Sequence, residues 1–187
     1  MSRLALRIAV AAWLASAAFT ASAVTIAVAD GAPQISLRIG ATGGTISLVT
    51  FAVAAATAGN GTPVVGTTNA AAGSAQGTFA ACAANNVRVW ARARSTVANS
   101  RTATLQVNSS GTMTSGANAI PFTDIDWITS AGPEIPSGSF SGSATQTLMS
   151  FMNSREVGMC LQFRFLNNTV YPAGTYNGQM TFNLNMP

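Results

Sequence analysis

Tyr176-Asn177-Gly178-Gln179-Met180-Thr181-Phe182-Asn183-Leu184-Asn185-Met186 is the stretch on which the fold turns. Its even positions are apolar or Gly, while Asn177, Gln179, Thr181, Asn183 and Asn185 are all polar. A period of two sends alternate side chains to opposite faces, the pattern of a strand with one buried side. A strand is expected from Tyr176 to Met186, with Tyr176, Met180, Phe182 and Leu184 turned inward.

The same period recurs upstream. Leu161, Phe163 and Phe165 oppose Gln162 and Arg164, and Asn167-Asn168 with Tyr171-Pro172-Ala173-Gly174 supplies turn chemistry into the last strand. These two strands are expected in one sheet. Val87, Val89, Ala91 and Ala93 alternate with Arg88, Trp90, Arg92 and Arg94, and Ala103, Leu105 and Val107 alternate with Thr102, Thr104, Gln106 and Asn108. Ile120-Pro121-Phe122 followed by Ile125 and Trp127 predicts an edge-like strand pair, since edges tolerate Pro. Between Leu48 and Val49 the apolar face changes phase, as at a bulge or where a strand switches sheets. Residues 54–61, 67–77 and 109–118 are rich in Ala, Gly, Ser, Thr and Asn and read as surface loops. With many short strands, no helix-crossover signal and no repeat, the expected class is all-β, a two-sheet antiparallel sandwich.

Composition narrows the chemistry. The chain has 187 residues, 48% hydrophobic and 7% charged, which argues against disorder and suits about one domain. All nine basic residues are Arg, with neither Lys nor His. A Ser nucleophile then lacks its usual base, and two thiols without His make half a zinc site. The expectation is a non-enzyme with no catalytic residues, no metal and no cofactor.

The N-terminus reads as an address. Arg3 and Arg7 precede the apolar run Ile8 to Phe19, and Ala21-Ser22-Ala23 supplies the small residues a signal peptidase requires. The run is short for a bilayer span of about 20 residues. Residues 1–23 are expected to be a cleaved signal peptide and 24–187 a single sandwich domain with no membrane span in its mature form. A second site, Ala27-Val28-Ala29, would cut before Asp30 instead. The expected location is exported: periplasm, cell surface or extracellular. Cleavage after Ala23 leaves seven Arg against Asp30, Asp124, Asp126, Glu134 and Glu156, too small an excess to predict nucleic-acid binding. Cys82 and Cys160 form an even pair in an exported chain and are expected to make one disulfide, worth roughly 4 kcal/mol on the chain-entropy model.

Two constellations invite a ligand. Asp124 and Asp126 stand two apart, on one face of any strand that contains them; a solvated edge is the bland interpretation, calcium or acid–base work the sharper ones. Arg88, Trp90, Arg92 and Arg94 would project from one face beside Arg164 on a neighbouring strand, where guanidinium groups and an indole can bind a glycan. Against that stands a face whose Arg stems simply cover Trp90.

The ending Tyr171-Pro172-Ala173-Gly174-Thr175-Tyr176-Asn177-Gly178, running on to Leu184, resembles the close of bacterial pilin-like domains, including the spore coat protein U domain and fimbrial subunits of chaperone-usher systems. That resemblance implies an immunoglobulin-like sandwich missing one strand, filled first by a periplasmic chaperone and then by the N-terminal extension of the next subunit. It puts the final strand, Tyr176 to Met186, beside the empty groove and gives the donor role to Val24, Ile26 and Val28, which alternate with Thr25, Ala27 and Ala29. The implied protein is a secreted structural or adhesive surface subunit that self-associates by strand addition. The alternative is a monomeric extracellular carbohydrate-binding module using the Arg and Trp face. The chain departs from fimbrial subunits by ending Asn185-Met186-Pro187 without a near-terminal aromatic, and by the wide separation of its cysteines.

Overall fold

The computed structural model describes residues 33–40, 48–69, 79–95, 101–130, 134–152 and 154–187. The signal and donor segments anticipated before residue 33, with Val24, Ile26 and Val28, lie outside the described residues. The strands are β1 (Gln34–Ile39), β2 (Val49–Thr50), β3 (Val64–Val65), β4 (Thr67–Thr68), β5 (Val87–Arg94), β6 (Thr102–Asn108), β7 (Thr112–Ser115), β8 (Asn118–Pro121), β9 (Ile125–Thr129), β10 (Gly138–Ser139), β11 (Gln146–Met152), β12 (Arg155–Phe165) and β13 (Thr181–Asn185). Helical structure among the described residues is limited to 3-10 turns at Ala55–Thr57 and Phe122–Asp124.

Two antiparallel sheets face each other. The larger has the order β1-β5-β12-β9-β10, with β3 also paired to β12; the smaller is β11-β6-β13. The protein is thus an all-β sandwich. Inward positions are those the alternation predicts: Val87, Val89, Ala91 and Ala93 from β5, Met159, Leu161, Phe163 and Phe165 from β12, and Ala103, Leu105 and Val107 from β6 are all buried. Burying one Leu- or Phe-sized side chain stabilises by about 1.5 to 3 kcal/mol, so this interior is what fixes the register. Leu37 and Leu184 pack against both clusters of the core, and Met186 closes the second cluster beside Ala91, Ala93 and Ala103.

Several local expectations are corrected. β12 and β13 belong to different sheets, because alternation assigns a face to each strand and no partner. The last strand begins at Thr181, not Tyr176: Asn177 instead forms an isolated bridge with Thr114, and the Tyr176 ring packs edge-on to Tyr171. The segment 109–118 is no simple loop, since β7 and β8 form a hairpin there, with Gly116 at φ 60° in its turn. Residues 67–68 pair as β4 with β2. β9 is interior to its sheet, between β12 and β10, and β8 pairs with β7. In β11 the register slips between Thr147 and Met149, a bulge that leaves Leu148 buried.

The two outer faces differ in chemistry. Register places Arg38, Arg88, Trp90, Arg92, Arg94, Glu156, Cys160, Arg164 and Asp126 on the outside of the larger sheet. The outside of the smaller sheet carries Thr102, Thr104, Gln106, Asn108, Thr147, Ser150, Thr181, Asn183 and Asn185, without a charge among the described residues. Hydroxyl and amide groups meet across it, as Thr104 and Ser150 do at 3.3 Å between their oxygens.

Candidate functional site

The Arg and Trp row is one face, as the period predicts, yet the structure turns most of it to internal use. The segment before β5 crosses that face. Cys82 in it is bonded to Cys160 of β12, closing a sequence separation of 78 residues with the Cα atoms 5.6 Å apart. Phe79 sits over Gly158: a Cβ on that glycine would lie 2.8 Å from the ring. Arg88 is only 5% exposed and donates to the backbone carbonyls of Phe79 and Ala80. Burial lowers its pKa from the ordinary arginine value. Trp90 is 7% exposed, and its Nε1 donates to Glu156 Oε1 at 2.8 Å. Arg164 grips Asp126 with two hydrogen bonds, Nε to Oδ1 at 2.9 Å and a second from its terminal nitrogen to Oδ2. That hydrogen bond, opposed by partial burial, raises the Arg164 pKa. Of the row, Arg94 is exposed and Arg92 half-buried. In the expected ligand face, then, the Trp90 indole is covered and two guanidinium groups are engaged, so among the described residues the row presents no open aromatic platform.

Asp124 and Asp126 do not share a face either. Asp126 lies on β9 against Arg164, whereas Asp124 ends a 3-10 turn and accepts a hydrogen bond from the Tyr171 hydroxyl at 2.6 Å. Burial first, and then that hydrogen bond, push the Tyr171 phenol up to about 12. Among the described residues no group of three or more His, Cys, Asp or Glu is placed to hold a metal ion.

The open feature lies where the two sheets part. β13 pairs with β6 on one side, β1 pairs with β5 on one side, and among the described residues the remaining edge of each has no strand partner. These two edges approach one another across the sandwich. At the Met186 end the seam is packed shut. Toward Ile39 and Phe182 it widens into a cleft of about 370 Å³ whose walls include Ile39, Val49, Phe51, Met113, Phe122, Met180 and Phe182. Gly178 is part of the rim, and its lack of a side chain is required: a Cβ there would sit 2.8 Å from Met113 Cγ and from Phe122 Cζ. The apolar residues follow from the alternation of β13 and from the phase change at Val49, which aims Val49 and Phe51 inward and leaves Leu48 58% exposed. Composition gave no sign that the β7 and β8 hairpin contributes Met113.

What such a cleft can do chemically is limited. Among the described residues its walls are apolar, apart from Gln179 and Thr181, and bring no acid or base. A strand edge that is free among the described residues presents backbone N–H and C=O groups ready to pair. The combination suits an extended peptide, which would add hydrogen bonds along the edge and place alternate side chains in the cleft. No protein-family model, curated protein or solved structure matches this chain.

Proposed function

We propose that this chain is an exported structural subunit or accessory of a surface fibre, joined to its neighbour by strand addition into the cleft between β1 and β13. The observation that carries the reading is the edge of β13, without a strand partner among the described residues, beside an apolar cleft. The occupant is residues 24–29 of the next copy. Val24, Ile26 and Val28 form an alternating apolar row that has too little local sequence to bury itself and matches what the cleft lacks. Each such side chain, once buried, contributes about 1.5 to 3 kcal/mol, and main-chain pairing fixes its direction. A chaperone that holds the edge before assembly is the partner this reading requires, since an unfilled apolar edge promotes aggregation.

The test is Ile26→Asp in the full-length protein. In the fibre reading the domain folds as before while polymerisation fails. If the segment instead completes its own sandwich, the substitution buries a carboxylate and lowers stability by roughly 2 to 4 kcal/mol in a monomer. A mature N-terminus at Asp30, or a soluble monomer in which every edge is paired, would overturn the proposal.

A further inference from the structure

The sequence holds two Asn-Gly pairs, Asn60-Gly61 and Asn177-Gly178. Asn-Gly is the dipeptide most prone to self-modification, because glycine leaves its nitrogen unhindered for attack on the preceding side chain. The structure treats the two differently. Asn60 Oδ1 accepts from Thr62 N at 2.9 Å and from Asn167 Nδ2 at 2.9 Å, and the nitrogen that would attack, Gly61 N, donates to Asn167 O at 2.9 Å. Asn167 is 1% exposed, so this pair is held against a buried side chain. Asn177 is exposed, and among the described residues neither its side-chain amide nor Gly178 N makes a hydrogen bond. Only the Asn177 backbone is held, by exchange with Thr114 at 2.8 and 3.0 Å.

We infer that Asn177 is a site of spontaneous deamidation at the rim of the cleft, and that Asn60 is protected from the same chemistry. The Gly178 nitrogen, losing its proton to a solvent base, bonds to Asn177 Cγ. The bond from Cγ to Nδ2 breaks and ammonia leaves, giving a five-membered succinimide. Water then opens the ring at either of its two carbonyl-to-nitrogen bonds to give aspartyl or isoaspartyl. The net change is water taken up and ammonia released, with no redox partner, and the rate rises with pH because the attacking nitrogen must be deprotonated.

Both products place a carboxylate on the residue before Gly178, the glycine that packs against Met113 and Phe122. The isoaspartyl form also lengthens the backbone where it pairs with Thr114. A consequence that rests on the proposed function is that an unfilled subunit ages into one that accepts a strand poorly, whereas a strand laid over 178–181 shields the reacting atoms.

The test incubates the purified protein at neutral and mildly alkaline pH and follows both Asn-Gly peptides by mass spectrometry with an isoaspartyl assay. The expected result is conversion at Asn177 several-fold faster than at Asn60 in the folded protein, similar rates for both in denaturant, and loss of the fast site in Asn177→Gln. Equal folded rates, or an Asn177 that stays amide while Asn60 converts, would overturn the assignment. A parallel incubation with a synthetic peptide of residues 24–33 reads the consequence. Slowed conversion at Asn177 supports shielding, and unchanged conversion with bound peptide removes it. Failure of the peptide to bind counts against strand addition and leaves the first comparison standing.

Discussion

Trp90 and Glu156, 66 residues apart in sequence, meet through a 2.8 Å hydrogen bond from the indole Nε1 to the carboxylate Oε1. Trp90 faces Gly158 across the β5 and β12 ladder and reaches diagonally to Glu156, which itself stands opposite Arg92. An indole that looked available for ligand stacking is thereby a fixed part of the scaffold. Glu156→Ala leaves a covered N–H unpaired, and the expected cost is about 1 to 3 kcal/mol in urea unfolding followed by tryptophan emission. An unchanged midpoint would show that water replaces the carboxylate without loss.

Tyr171 gives the molecule an alkaline limit. Its phenol is pushed from the ordinary 10.0 up to about 12, chiefly by burial, while its proton bonds Asp124. Because the folded value lies above the unfolded one, its contribution is fully present below pH 10 and is lost as pH rises through about 12. Stability measured by chemical unfolding is expected to decline across that window. In Tyr171→Phe the part of the decline belonging to this group disappears, and a profile identical to that of the parent would contradict the assignment.

Asn167 organises the 57–62 turn from within. At φ 56° and 1% exposure it accepts from Gly59 N at 2.8 Å and donates to Thr57 O and Asn60 Oδ1, each at 2.9 Å. Asn167→Ala strands these groups and replaces a residue that tolerates the left-handed conformation with one that adopts it less readily, at an expected cost of about 2 to 4 kcal/mol by calorimetry. Asn167→Gly keeps the backbone conformation accessible and should recover only a minority of the loss. Full recovery would mean that the side-chain bonds contribute nothing.

How much of this was written in the sequence depends on the length scale of the signal. Alternation at two-residue spacing identified the buried sides of β5, β6 and β12, because a half-buried strand imposes that period directly. Cysteine parity identified the Cys82 to Cys160 bond, since only one pairing was possible. Sheet membership was hidden: β12 and β13 carry equally clean alternation, and nothing local says that they stand on opposite layers. Burial of Arg88 was hidden for the same reason, as its cover is the segment reaching it through Phe79 and Ala80. The hairpin of β7 and β8 escaped because Thr, Ser, Met and Gly make turns and short strands with the same letters. The cleft was half legible, through Phe182 and Met180, while Met113 and Phe122 reach it by tertiary packing.

The partition of charge between the two outer faces gives the molecule an electrical top and bottom. Five arginines and two carboxylates stand on the outer side of the larger sheet, with Arg88 covered by Phe79 and Ala80 and Arg164 paired with Asp126, while among the described residues the hydroxyl and amide lattice on the other side carries no formal charge. Near an anionic boundary, within about one Debye length or roughly 8 Å at physiological salt, such a body experiences a torque as well as an attraction.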